Sequence, residues 1–292
     1  MKNTVFIHTN AKQIVGAIVS AHSLKRNSKS PDRFDVKIIK TEDYPFLDDY
    51  QGRKFLRGGL SRVWDNSDLQ SFTPLRFMPP QLMKYKGRAI VIDPDVFAVG
   101  DIVELLERDM KGKAICARPR PGHGDREDYI ATSVMLMDCA KLKHWNCEKM
   151  FDELFEFKRD YENLIILADE PRDSLGELES VWNDFDRLEE DTKLVHNTKR
   201  RTQPWKSGLK VDFTHRIKLP ILAKMLGTNG IKIPGRYKSH PDRRQEEFFY
   251  TMVAECVENG SLTEEFLREE MARNHIRHDS IDLVNQLKKK AA

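Results

Sequence analysis

The first periodic signal along the chain is the short run Thr4-Val5-Phe6-Ile7, apolar and rich in β-branched residues, which predicts a buried strand. It ends at His8-Thr9-Asn10, where Thr9 or Asn10 can cap a helix. Ile14, Val15, Ile18, Val19 and His22 then recur at helical spacing and define one face. Phe34-Asp35-Val36-Lys37-Ile38-Ile39 reads as a second strand, so the opening is strand, helix, strand, the unit of a parallel α/β sheet. Gly58-Gly59 marks a loop, and Arg88-Ala89-Ile90-Val91-Ile92 is a nearly continuous apolar strand that stops at Asp93-Pro94-Asp95. A helix is predicted over residues 102–106, capped by Asp101 with Glu104 in the reciprocal position of a capping box. Further strands are expected at 114–117, 134–137 and 194–195, and an amphipathic helix at 150–158. The Pro-, Gly- and charge-rich stretch 118–128 is expected to be an irregular lid. Past about residue 215 the alternation gives way to helices at 246–257 and 280–290, with a capping box of Ser261 and Glu264 between them. The expected fold is therefore α/β, with a sheet domain over residues 1–215 and an all-helical C-terminal extension over 216–292.

Composition narrows the function classes. Lys and Arg total 49 against 46 Asp and Glu, a net charge of +3, and hydrophobic residues make up 39% of the 292. That balance excludes disorder over most of the chain and argues against nucleic acid as a partner, since nucleic-acid binders concentrate a basic excess. No apolar run approaches the ~20 residues of a spanning helix, so no transmembrane segment is expected. Lys288 to Lys290 offer at most a weak peripheral contact with an anionic membrane surface. Cys116, Cys139, Cys147 and Cys256 lack metal-site spacing and read as buried, reduced thiols. No signal-peptide core opens the sequence, and the expected location is cytoplasmic.

Three segments carry candidate chemistry. A buried strand ending in two carboxylates one residue apart places Asp93 and Asp95 at the carboxyl edge of a sheet, where open α/β sheets bind ligands. Two hard oxygen donors there suit Mg²⁺ or Mn²⁺; an Asp-Pro turn with a solvated second Asp accounts for the same letters. His196 follows a short strand end and precedes a segment containing Lys199, Arg200, Arg201 and Lys206. Its imidazole could complete a metal shell while the cations meet phosphate oxygens, or it is an exposed histidine in a solvated basic loop. The turn His8-Thr9-Asn10 could hold a nucleotide at a helix N-terminus, or simply cap that helix. Neither G-x-G-x-x-G nor a P-loop is present.

In order and spacing, these segments resemble the family 8 glycosyltransferases, the group that includes glycogenin and the bacterial lipopolysaccharide galactosyltransferases. The segments that carry the likeness are Phe6-Ile7-His8-Thr9-Asn10, Ala89 through Ile102, Tyr129 through Met137, and Leu194-Val195-His196 through Gln203-Pro204-Trp205-Lys206. The resemblance implies a GT-A fold, a Rossmann-like mixed sheet flanked by helices. It also implies a metal-dependent, retaining transfer from a nucleotide sugar, usually a UDP-sugar, with Mn²⁺ or Mg²⁺. Carried over by position, Asp93, Asp95 and His196 would ligate the metal. His8, Thr9 and Asn10 would lie at the nucleotide, with Arg76 beside the donor. Lys199 or Lys206, in company with Arg200 and Arg201, would meet the diphosphate, and Asp160 or Glu162 would stabilise charge at the anomeric carbon. The sequence departs from the family at Lys199, at Gln203, at Ala131-Thr132-Ser133 and at Tyr161. The acceptor, a glycan, lipid or protein, is not legible. A non-catalytic GT-A-like protein that binds a nucleotide sugar or a partner is the alternative; a nucleotidyltransferase fits less well, lacking its Gly-rich signature.

Overall fold

The computed structural model describes residues 2–122, 128–212, 216–217, 231–232 and 235–291. The chain groups into two compact units, Met1–His196 and Asn197–Ala292; the division thus falls before residue 215, the boundary expected from the change in sequence pattern.

In the first unit, Asn3–Thr9 (β1), Ile14–Arg26 (α1) and Phe34–Lys40 (β2) form the strand–helix–strand opening. A hairpin follows, Lys54–Arg57 (β3) and Leu60–Val63 (β4). Gly58 and Gly59 form its tip at φ of 60° and 71°, a conformation that costs other residues strain. Pro79–Leu82 (α2) leads into Arg88–Ile92 (β5), Val96–Ala98 (β6) and Ile102–Leu106 (α3). Next come Ile115–Arg120 (β7), Tyr129–Asp138 (β8), Cys147–Phe155 (α4) and Tyr161–Ile165 (α5). Leu175–Glu177 (β9), Asp184–Phe185 (β10) and Leu194–His196 (β11) complete the unit.

The main sheet has the order β2-β1-β5-β8-β7-β9. β1 runs parallel to β2 and β5, whereas β8 is antiparallel to both β5 and β7, so the sheet is mixed. Both faces are covered, which is why β5 reads as an unbroken apolar run rather than an alternating one. Ala89 and Val91 pack with Phe6, Met135, Met137 and Trp145. Ile90 and Ile92 pack on the other face with Val5, Ile7, Leu136 and the α1 residues Ala17 and Leu24. A second, three-stranded sheet has the order β10-β11-β6.

Several local expectations are corrected. The expected α1 face of Ile14, Val15, Ile18, Val19 and His22 is buried only in part: Val15 and Val19 are buried together with Gly16, Ala17, Ser20, Ser23 and Leu24, while Ile14, Ile18 and His22 are half-buried. The reason is that α1 docks on backbone: Ser20 Oγ donates to the Val96 carbonyl at 2.6 Å, and the Ala98 N–H donates to Ser23 Oγ at 2.9 Å. Small polar residues therefore face inward where a hydrophobic-face reading expects apolar ones. Asp101 does cap α3, accepting from the Val103 N–H at 3.0 Å. Glu104 does not close the capping box; it pairs with Lys193 at 2.8 Å. The stretch expected as an irregular lid begins inside β7, which runs to Arg120, while residues 123–127 lie outside the described residues.

In the second unit the expectation of a wholly helical tail fails at Arg216–Ile217 (β12) and Ile231–Lys232 (β13), which pair antiparallel. Residues 218–230 lie outside the described residues. Helices follow at Arg243–Glu258 (α6), Glu264–Ala272 (α7) and Ser280–Ala291 (α8). Thr263, not Ser261, caps α7, accepting from the Phe266 N–H. Trp205 stacks on Phe249 at a centroid distance of 4.8 Å, which ties the turn at Pro204–Lys206 to α6. All four cysteines are free and buried. No described helix is long and apolar enough to cross a membrane.

Candidate functional site

The end of β5 and the start of β6 are held by two backbone hydrogen bonds. The Asp93 N–H donates to the Ser133 carbonyl at 3.0 Å, continuing the β5–β8 ladder, and the Val96 N–H donates back to the Asp93 carbonyl at 3.2 Å. Asp93-Pro94-Asp95 is therefore a turn, and at the same time it presents both carboxylates at the edge of the sheet. β6 pairs antiparallel with β11 in a register that sets His196 opposite Val96, the residue after Asp95. This pairing closes the gap between positions 95 and 196. His196 Nε2 lies 3.3 Å from Asp95 Oδ1, and one donor atom each from Asp93, Asp95 and His196 fall within 4.8 Å of one another.

Asp93 is the electrostatic centre. Arg76 donates to its Oδ1 at 2.5 Å and to Thr132 Oγ1 at 2.6 Å, and His8 Nε2 approaches the same Oδ1 at 3.1 Å. Burial raises the Asp93 pKa, but Arg76, His8 and His196 outweigh it and hold the carboxyl well below its usual range. Burial dominates at His8, whose pKa is lowered despite Asp93. At His196 burial also lowers the pKa, but Asp95 and then Asp93 and Asp186 more than offset it, and the net shift is upward. Phe185 packs against the His196 ring at 5.5 Å between centroids.

The remaining residues singled out from sequence fall in different places. Thr9 is fully buried, and its Oγ1 donates to the Asn10 carbonyl. Asn10 Nδ2 donates to Ser71 Oγ at 3.1 Å and tethers residues 68–71, while the Asn10 Oδ1 and Gln13 Oε1 atoms have no partner among the described residues. Lys199 is exposed, whereas Lys206 is fully buried and pairs with Asp212 at 3.1 Å. The Asp160 carboxylate accepts from the N–H groups of Gly58 (2.9 Å), Gly59 (2.7 Å) and Glu162 (2.7 Å). It caps α5 and clamps the β3–β4 hairpin. Glu162 faces the same tip and pairs with Arg57 at 3.7 Å.

Partial burial pushes the Asp160 pKa up, but the backbone donors of Gly59, Gly58 and Glu162 overcome it and leave the carboxyl below its usual range. A depressed folded-state pKa stabilises above the unfolded value and is lost as pH falls. Asp160→Ala is expected to cost about 1–2 kcal/mol at neutral pH, as loss of an N-cap does. The difference from wild type should shrink as pH falls below about 4, where the unfolded carboxyl protonates. Urea unfolding at a series of pH values checks both the size and the direction.

Two residues of this region carry no local sequence signal of their role. Gly16 lies where α1 passes the carboxylate turn: a Cβ on it would sit 2.7 Å from the Pro94 carbonyl oxygen. Gly in a helix normally costs about 1 kcal/mol relative to Ala, so Gly16→Ala would ordinarily stabilise. Here it is expected to destabilise by about 1–3 kcal/mol through overpacking against fixed backbone, and to displace Asp93 and Asp95. Thermal unfolding of the variant checks the sign. The second residue, Asn183, is fully buried and accepts from His196 Nδ1 at 2.8 Å.

No family model matches the chain, and no curated protein matches it in sequence. Among solved structures, the glycosyltransferase GlyE of Streptococcus pneumoniae TIGR4 superposes with a TM-score of 0.52 at 15% identity, covering 100% of this chain and 64% of that one. The chain thus has the fold of that glycosyltransferase, the mixed-sheet GT-A architecture expected from sequence, and spans just under two thirds of its length. The galactosyltransferase LgtC, solved with donor and acceptor sugar analogs, gives a TM-score of 0.47 at 18% identity, covering 70% of this chain and 89% of that one. Mouse xyloside xylosyltransferase 1 gives 0.44 at 14% identity, covering 68% and 98%.

Proposed function

We propose that this chain is a metal-dependent glycosyltransferase that moves a sugar from a nucleotide sugar, a UDP-sugar on the resemblance, to a glycan, lipid or protein acceptor with retention of anomeric configuration. The observation that carries the reading is the meeting of Asp93, Asp95 and His196 at the sheet edge. Two carboxylates and one imidazole form a donor set of the kind that holds Mn²⁺ or Mg²⁺. Asp93 Oδ1 is engaged by Arg76 and His8, and His196 Nδ1 by Asn183, which leaves Nε2 as the nitrogen facing Asp95. A bound divalent cation would supply charge neutralisation for the leaving diphosphate. The chain's own residues prepare that site. Arg76 and His8 meet the Asp93 carboxylate, and the β6–β11 register holds His196 in place.

The roles of Thr9 and Asn10 at the base, and of Lys199 and Lys206 at the diphosphate, rest on the sequence resemblance. So do the catalytic assignments of Asp160 and Glu162. Of that pair Asp160 already has three backbone donors, so Glu162 is the better candidate for a group with a changing partner. A cytoplasmic setting fits a chain whose cysteines are all reduced. Titration with Mn²⁺ across a panel of nucleotide sugars, following free UDP, tests the proposal. Metal-dependent release of UDP supports it, and no release or binding with any nucleotide sugar sinks it.

A further inference from the structure

We propose that Arg118 and Arg120 set substrate specificity by recognising a carboxylate or phosphate carried by the transferred sugar or by the acceptor, so that one of the two sugar substrates is anionic. The inference rests on the glycosyltransferase reading above and extends it to the substrate class. β7 and β5 are both antiparallel to β8, so they run the same way and end at the same edge of the main sheet, β7 in Arg120 and β5 just before Asp93. The β7–β8 register shifts between Ala117 and Arg118, an irregularity that re-aims the end of β7. There the two arginines close on one ring. The Phe185 centroid lies 4.2 Å from the Arg118 guanidinium carbon and 4.7 Å from that of Arg120, which is also 5.4 Å from the Tyr129 ring. Phe185 pairs with His196 across β10 and β11, and residues paired in neighbouring strands project from the same face. Their ring centroids are 5.5 Å apart. Asp95, His196, Phe185 and the two arginines thus form a row that leads away from the candidate metal centre.

The charges in this row are unbalanced. Two guanidiniums on one ring repel each other, and among the described residues neither forms an ion pair with a carboxylate. Asp184, next to Phe185, is taken by Arg187 at 3.0 Å and Thr192 at 2.9 Å. Arg118 is half-buried and anchored, its Nη1 donating to the Asn183 carbonyl at 2.6 Å, whereas Arg120 is exposed. A planar guanidinium matches a carboxylate or phosphate through two parallel N–H bonds, and an anion placed here relieves the repulsion. The Phe185 ring stands between the arginines and His196, which puts that anion on a sugar rather than on the diphosphate at the metal.

Calorimetric titration of the full chain with Mn²⁺ present tests this in two arms. The donor arm compares UDP-glucuronate with UDP-glucose and UDP-galacturonate with UDP-galactose, pairs that differ only in a carboxylate for a hydroxymethyl group. The acceptor arm titrates glucuronate, glucose 6-phosphate and glucose into protein loaded with Mn²⁺ and UDP. In one arm the charged ligand should bind about 10- to 100-fold more tightly than its neutral counterpart, the usual worth of hydrogen bonds to a charged group, and that arm identifies which substrate carries the anion. Arg120→Ala should bring the ratio close to one, and Arg120→Lys should recover only part of it, since an ammonium lacks the fork. Arg120 is exposed, so both variants should fold, which a thermal melt checks. No preference for the charged ligand in either arm would overturn the proposal, as would a preference that Arg120→Ala retains. So would an Arg120→Ala protein that loses affinity for UDP alone as steeply as for the charged ligand, because the arginine would then serve the diphosphate. Wild type that binds no nucleotide sugar with Mn²⁺ would sink the glycosyltransferase reading, and this inference with it.

Discussion

His196→Ala is expected to weaken Mn²⁺ binding in the presence of UDP by about 100-fold or more, beyond the 10–100-fold typical of outer-shell changes. Asp95→Ala should cost about as much. The two residues lie on strands paired so that Nε2 is 3.3 Å from Oδ1, and a shared ion loses a ligand in either variant. The fold should survive His196→Ala, since the change leaves Asn183 Oδ1 without its partner at about 1–3 kcal/mol, within the 5–15 kcal/mol of a typical domain. Mn²⁺ titration with a parallel thermal melt makes the comparison. A folded His196→Ala that binds Mn²⁺ as tightly as wild type would reduce Asp93-Pro94-Asp95 to an ordinary turn.

Arg76→Ala should have the largest effect on stability. The Arg76 and Asp93 side chains are only 8% and 16% exposed, and removing the cation leaves a largely buried carboxylate with His8 as its neighbour. Breaking a buried pair costs about 3–5 kcal/mol; the partial exposure of Asp93 and the remaining imidazole favour the lower figure, about 3 kcal/mol. The pH dependence has a definite sign. Asp93 has a depressed pKa in the folded protein, so its pairing stabilises above the unfolded carboxyl value of about 3.9 and fades as pH falls. Wild type should exceed Arg76→Ala most at neutral pH, with the gap narrowing in acid. Without Arg76, burial dominates and the Asp93 pKa should rise. Denaturant unfolding at several pH values measures the gap. A variant as stable as wild type at neutral pH would show that Arg76 does not carry the charge of Asp93.

Local chemistry made much of this legible. β5 reads as a buried strand because both of its faces are covered, and Asp93-Pro94-Asp95 reads as its end because Asp and Pro stop a strand. Asp101 reads as a cap because a short acceptor before an apolar run has few other uses, and it does accept the Val103 N–H. These features depend on residues within one or two turns of each other. The face of α1 was legible only in part: Val15 and Val19 are buried as expected, but Gly16, Ser20 and Ser23 are buried with them where the helix meets backbone at Pro94 and β6, which a hydrophobic pattern does not show. The β12–β13 pair escaped because two residues a side are too few to show the alternation that marks a strand.

For the candidate site, the sequence by itself determined which groups exist and what each could do: two hard carboxylates at a strand end, one imidazole at another, and a basic segment after it. Tertiary structure decided which of them meet. The β6–β11 register brings His196 to Asp95, the approach of Gly16 lets α1 reach the turn, and Asn183 faces the ring nitrogen that Asp95 does not. It also decided that Asp160 caps a helix and clamps a hairpin, and that Lys206 pairs with Asp212. Strand pairing and side-chain partnership join residues distant in sequence, and their energies depend on ångström distances that no local pattern of hydrophobic and polar letters encodes.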